Sequence, residues 1–383
     1  MLISEARSAG LSAAEISATA MTICAAQRGD GAIPWELGRQ LDPWNHVEAI
    51  LALDAAGCHG EARRGLEWLR RTQADDGTWP ALMSASAGTW VDVNFTAYIA
   101  IGAWHHFLCT RDRGYLATLW PTLRRALDFT VSMQAPGGEI YWARDNNGDI
   151  YREALLTASS SVRMSLTAGI EIAAIFDKDC RSWSEARHRL TTAIRQGTNF
   201  ARKDAYAMDW YYPVLSGALD QASARARLLQ RWRWFVTSSG GVRCVRERPW
   251  ATVAETCELV IALAMVGWDA EALRLFEWTR ALRGADGSYW TGVVCPSGEI
   301  WPDERTTWTA ASVLLSNALL ERRPSVTALF RLPGPAQDPQ AAYVGDLLVL
   351  PARTRRRVNL KRRSAPARGI RKHIVDGEQA ARE

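Results

Sequence analysis

Apolar residues recur at three- and four-residue spacing through most of the chain, in runs broken by glycine-rich stops. Val47, Ile50 and Leu51, then Leu66, Trp68 and Leu69, mark two such runs on either side of Gly57. A glycine just past a helix end relieves the left-handed backbone there, so Gly57 closes the first helix and the second starts beyond it. That second run ends in Gln73-Ala74-Asp75-Asp76-Gly77-Thr78-Trp79, where Asp-Gly stops the helix and a tryptophan turns back. Related stops follow at Gln27 to Gly31, Gln134 to Gly138, Ser239 to Gly241 and Gly284 to Gly287.

The stops belong to an internal repeat. Residues 48–77 align without a gap on 258–287, an offset of 210, with Glu48/Glu258, Ala52/Ala262, Leu53/Leu263, Gly57/Gly267, Trp68/Trp278 and Asp76/Asp286 identical. The same offset carries Gly31 onto Gly241. Between stops the pattern predicts helices over 11–26, 43–57, 59–72, 92–110, 114–133, 158–176, 183–201, 208–218, 221–237, 250–267, 269–282 and 306–321. These form six helical hairpins. Strand-like alternation is nearly absent, and a hairpin cannot bury its apolar face alone. The economical arrangement is all-α, an (α/α)6 toroid over residues 1–330. From Arg331 the pattern gives way to a basic, Pro- and Arg-rich tail, 331–383, expected to be mostly disordered.

Composition narrows the function. The formal charge is +5, with much of the basic excess in the tail, so the folded body carries no nucleic-acid footprint. Seven scattered cysteines without a C-x-x-C pair fit packed thiols of a cytoplasmic protein and leave no structural metal site. The N-terminus lacks the apolar core of a signal peptide, and no stretch supports a membrane span. No cofactor is expected, and the oligomeric state is open. Adjacent positions on a helix face different directions, so of His105 and His106 one is expected to pack and the other to face solvent. Asp145 to Asp149 resembles part of a calcium loop but lacks the closing glutamate, which favours a plain turn.

Eighteen tryptophans are unusual for this length, and many fall in the loops after the stops, beside carboxylates. Trp35, Arg39, Asp42 and Trp44 share the first long loop; Trp90 and Asp92, Trp142 and Glu153, Trp210, and Trp301 with Asp303 and Glu304 follow in later ones. Indole faces stack on sugar rings while Arg and carboxylates take hydroxyls, so these residues are candidates for carbohydrate binding. Glycoside cleavage requires two carboxyl groups flanking the bond, one a proton donor and one a base or nucleophile.

Residues 35–79, 92–129, 151–161 and 301–320 resemble glucoamylase-type members of the six-hairpin glycosidase superfamily. Arg152-Glu153-Ala154 before Ser159-Ser160-Ser161 is similar to the family's general-acid segment, and Asp303-Glu304 before Thr307-Trp308 to its general-base segment. Arg39 and Asp42 loosely match an Arg-Asp pair that grips sugar hydroxyls. The resemblance implies an inverting hydrolase of oligo- or polysaccharides with Glu153 as acid and Glu304, or Asp303, as base. Gln73-x-x-x-Gly77-x-Trp79 is also similar to the repeat of squalene-cyclase and prenyltransferase toroids, although the cyclases' acidic D-x-D-D segment is missing. That leaves two alternatives: a prenyltransferase or terpene-cyclase-like protein, and a toroid that binds glycan without turnover.

Overall fold

The computed structural model describes residues 10–83 and 90–332. The expected tail, from 333 on, lies outside the described residues. Helices pair along the chain as α1 (Ala13–Ala26) with α2 (Pro43–Ala55), and α3 (His59–Thr72) with α4 (Val93–Ala97) and α5 (Ile99–Thr110). Then come α6 (Arg113–Ser132) with α7 (Leu156–Ile175), α8 (Arg181–Gln196) with α9 (Ala207–Leu215), α10 (Gln221–Phe235) with α11 (Val253–Met265), and α12 (Asp269–Thr279) with α13 (Thr307–Leu320). A short α14 (Pro324–Leu329) follows.

The second member of each pair lies inside. α2 packs on α5, α5 on α7, α7 on α9, α9 on α11, α11 on α13, and α13 back on α2, which closes an inner ring of six. α2 is buried along its whole length and α11 and α13 almost so, whereas α3 and α8 bury one stripe each and face water with their arginines. α1 seals the ring against α13, where Thr19 donates to the Gly287 carbonyl at 2.9 Å and Asn317 accepts from the Leu11 amide at 2.7 Å.

A repeated side-chain clasp sets the spacing of the outer helices. Gln73 Nε2 donates to the Gly77 carbonyl at 2.8 Å and to Thr122 on α6 at 3.0 Å. Gln27 does the same to Gly31 and Glu61, and Gln134 to Gly138 and Ala186. Each clasp ends one outer helix and pins it to the next. Gly77 sits at φ +91°, where a Cβ would lie 2.6 Å from the Arg125 carbonyl oxygen, so the turn needs glycine for both conformation and space.

Three expectations shift. The helix expected over 92–110 breaks at Tyr98 into α4 and α5, and α11 starts at Val253 because Trp250–Thr252 is a strand. His105 and His106 are both buried: α5 is an inner helix covered on every side, and His106 is held by both oxygens of Asp54 at 2.9 and 3.0 Å. The Asp145 to Asp149 segment is a turn closed on the Asp145 carboxylate, which accepts the Asn147 and Asp149 amides. Among the described residues no helix is long and apolar enough to cross a membrane.

Candidate active site

Connections from inner to outer helices are short, while those from outer to inner helices are long, so all the long loops gather where the inner helices begin. Backbone hydrogen bonds join these loops in a complete circuit. Met83 donates to Leu41, Val93 to Trp142, Ala201 to Ala154, Ala207 to Cys244, Val253 to Thr291, and Thr307 to Trp35, at 2.7–2.9 Å. Two small antiparallel sheets reinforce it. One joins β1 (Val91–Asp92), β2 (Ala143–Arg144) and β3 (Ile150–Tyr151); the other joins β4 (Val242–Arg243), β5 (Trp250–Thr252), β6 (Gly292–Val294) and β7 (Glu299–Ile300). The result is a rigid rim on one face of the ring, the kind of platform on which binding loops are built.

Every inner helix brings a carboxyl group to this rim. Asp42 and Asp92 are the N-caps of α2 and α4, Asp209 and Glu255 lie in the first turns of α9 and α11, and Glu153 and Glu304 lie three positions before the first residues of α7 and α13. Anions are favoured at helix N-termini, which explains why a ring of inner helices collects them at one end.

Burial separates the six. Asp42 is buried, and its oxygens accept from Trp35 Nε1 at 2.6 Å, Asn45 Nδ2 at 2.6 Å and the Asn45 amide at 2.8 Å. Asp92 is buried beside it and accepts the Phe95 amide at 3.0 Å; burial first, and then the charge of Asp42, push its carboxyl up to about 7. Glu255 is buried and accepts the Thr252 hydroxyl. Asp209 is buried and pushed up by burial to about 6, but it is spent on α7, taking the Thr157 hydroxyl at 2.6 Å. Glu153 is exposed at the rim, and Glu304 is half-buried with its Oε1 accepting from Thr291 at 3.2 Å.

Buried polar atoms without a partner also concentrate here. Among the described residues, Trp44 Nε1, Trp90 Nε1, Trp142 Nε1, Trp308 Nε1, Asn45 Oδ1, Asn94 Oδ1 and Thr96 Oγ1 find no hydrogen bond within the protein. Buried polar groups are normally paired, and each one left without a partner costs about 1–3 kcal/mol. By contrast, a groove on the outer wall between α3 and α6 is lined by Arg63, Arg64, Arg70 and Arg71, whose guanidiniums are taken up by Asp112, Glu61, Glu67 and the Asp30 carbonyl.

Comparison with known proteins decides between the classes this rim could serve. Over 316 residues the chain is 45% identical to the MMP endo-(1,4)-3-O-methyl-alpha-D-mannosidase of Mycolicibacterium hassiacum, an alignment spanning 82% of this chain and 88% of that enzyme. The chain belongs to this mannosidase family. It is a glycoside hydrolase, and the prenyltransferase-like alternative finds no support. No protein-family model matches it. Among solved structures it superposes on a glycosidase variant in complex with glucose, with a TM-score of 0.63, 15% identity, and coverage of 81% of this chain and 100% of that one. It also superposes on the GH63 mannosylglycerate hydrolase of Thermus thermophilus in complex with glucose, with a TM-score of 0.60, 14% identity, and coverage of 78% and 98%. At such identities the likeness is one of fold.

Within this glycosidase the candidates drawn from sequence fall into distinct places. Trp44, Trp90, Trp142, Asp42 and Asp92 converge on the rim, and Trp90, Trp142 and Tyr151 form a chain of ring contacts at 6.5 and 5.5 Å. Trp35 is buried and serves Asp42. Three others do not join them. Arg39 points outward, ion-paired with Glu36 at 3.7 Å, and lies two loop residues short of the buried cap position held by Asp42. Trp210 is fully buried, stacked on Phe235 at 5.4 Å with Nε1 on the Arg227 carbonyl, because it lies on the side of α9 that packs against α10. Trp301 packs edge-on to Trp250 at 4.8 Å in a small cluster under the second sheet. Asp303 is exposed beside Glu304. Glu255 escapes a reading by loop composition because it lies within an apolar helix. The repeat offset signals it, since 210 residues separate Asp42 and Asn45 from Thr252 and Glu255, the same cap and first-turn positions.

Proposed function

We propose that the chain is an endo-acting mannosidase that hydrolyses (1,4) linkages in chains of 3-O-methylated α-mannose, by inversion. The family carries the substrate class, and the buried carboxyls of the rim carry the chemistry. Inverting enzymes place their two carboxyl groups roughly 6.5–9.5 Å apart so that water fits beside the sugar. Groups that flank a bond must come from different sides of the ring. Asp42 and Asp92 stand on neighbouring helices, whereas Glu255 on α11 is separated from α2 by α13.

Asp42 is therefore assigned as the base. Two of its three partners are fixed donors of the main chain and indole, and the third is the Asn45 amide group, so both oxygens act as acceptors. Glu255 is assigned as the acid. Its partner is the Thr252 hydroxyl, which can donate or accept by rotating and so suits a group that loses and regains a proton. Glu153 and Glu304, the pair implied by the glucoamylase resemblance, stand at the outer edge of the same rim, where they are placed to contact sugars on either side of the cleaved bond.

The test is a chromatographic assay of the purified chain on a 3-O-methylated α-(1,4)-mannan oligosaccharide, with the newly formed anomer followed by proton NMR. Internal cleavage with inverted product supports the proposal. Release of single terminal sugars sinks the endo assignment, and a retained anomer sinks the inverting one.

A further inference from the structure

Trp44, two residues beyond Asp42, lies in an aromatic enclosure assembled from three adjacent inner helices. Its ring stacks on Phe95 of α4 at 6.5 Å and 14°, tilts against Trp308 of α13 at 5.6 Å, and tilts against Tyr98 at 5.8 Å. Phe95 and Trp308 are half-buried, so the enclosure has an open side, while Trp44 and Tyr98 form its floor. Trp44, Phe95 and Trp308 all fall in first helical turns, at the level of Asp42 and Asp92. The Tyr98 hydroxyl is turned away to Glu48. What the enclosure offers a ligand is apolar ring surface, chiefly the half-buried rings of Phe95 and Trp308; the indole nitrogens of Trp44 and Trp308 lie beneath that surface, out of reach of solvent.

That chemistry is selective. A sugar hydroxyl both donates and accepts, and it is best met by carboxylates and amides. A methyl ether only accepts, and it adds an apolar, slightly polarised methyl group. Exposed ring faces suit the methyl group of the ether, whereas a hydroxyl laid against the same rings gives up the partners it has in water. We propose that the box of Trp44, Phe95, Tyr98 and Trp308 is the subsite that recognises the methyl ether of a methylated mannose unit, and so determines specificity next to the catalytic carboxyls. The inference rests on the mannosidase reading above.

The experiment compares kcat/KM on matched α-(1,4)-mannan oligosaccharides with and without 3-O-methyl groups, for the unaltered chain and for Phe95→Ala. A methyl group seated in an apolar pocket is worth roughly 10–200-fold. The unaltered chain should prefer the methylated substrate within that range, and Phe95→Ala should bring the ratio toward unity. Phe95→Leu, which keeps most of the packing volume and removes the ring, guards against misfolding, and its ratio should also fall. A readout free of turnover is the affinity for methyl 3-O-methyl-α-D-mannopyranoside against methyl α-D-mannopyranoside, followed by tryptophan fluorescence. Cleavage of both oligosaccharides with equal kcat/KM would overturn the box while leaving the mannosidase reading intact. Failure to cleave or bind any mannoside would overturn that reading and the inference with it. A preference for methylated sugar that survives both Phe95 variants would move recognition to another place on the rim.

Discussion

Glu48 and Glu258 occupy the same position of the repeat, 210 residues apart, and each is buried with tyrosine hydroxyls donating to it: Tyr98 to Glu48, and Tyr211 and Tyr212 to Glu258. The two carboxyls sit one turn below the rim on α2 and α11, and they feel one another's charge. Burial pushes Glu48 up to about 7 and Glu258 well above the usual carboxylate range. Such groups bind protons more tightly folded than unfolded, so stability falls as pH rises through the interval between the two values. His46 and His105 work the other way, because burial lowers both to about 4 from an ordinary 6.5, and their slope ends near that upper value.

Above about pH 6.5, then, only the acid slope is left. Thermal melts should show the melting temperature falling between pH 6.5 and 8.5, and Glu258→Gln should flatten that fall. The two proteins should diverge progressively across the window, as the unaltered chain loses the stability tied to the proton on Glu258. Parallel slopes would show that Glu258 does not carry the effect.

The assignment of Asp42 and Glu255 predicts how four substitutions rank. Glu255→Gln and Asp42→Asn should each lower kcat by roughly a hundredfold or more, in line with removal of a general acid or base. Glu153→Gln and Glu304→Gln should act mainly on KM, as expected of groups that touch the flanking sugars. Activity that survives Glu255→Gln but collapses in Glu304→Gln would return the chemistry to the rim pair.

The glutamine clasps predict a stability effect where the rim loops leave the outer helices. Gln73→Ala removes two hydrogen bonds to carbonyls, one on each of two elements, at a net cost of about 1–3 kcal/mol. Gly77→Ala places a Cβ against the Arg125 carbonyl at a backbone angle that L residues avoid, and should cost at least as much. Urea titration of both variants is the check, and a change below about 0.5 kcal/mol in either would show that the turn relaxes freely.

Much of the ring could be seen in the sequence because its physics is local. Apolar spacing marked the helices, and Gly57, Gly77, Gly138 and Gly287 marked their ends, each at positive φ as a C′ or turn glycine requires. The rim was legible where loop residues cap helices, as Asp42 and Asp92 do. It was illegible where function lies inside an apolar run: Glu255, within Val253–Met265, looks like one polar residue of a core helix until closure brings its first turn beside the others. Trp210 failed for the converse reason, since nothing local distinguishes the side of α9 that faces α10 from the side that faces the axis.

Asp92 offers the last test, because its environment and its position make separate demands. As the N-cap of α4 it needs only an acceptor for the Phe95 amide, which asparagine supplies equally well. As a buried carboxyl raised to about 7 beside Asp42, it is half-protonated near neutrality, and its ionisation puts a second negative charge next to the base. Substrate binding should therefore weaken as pH rises through 7, which appears as an alkaline limb in kcat/KM. Asp92→Asn keeps the cap and a hydrogen-bond donor at every pH, so this limb should move to higher pH while the acidic limb stays in place. An alkaline limb that is identical in Asp92→Asn would assign it to another group, with Glu255, the proposed acid, the first to examine.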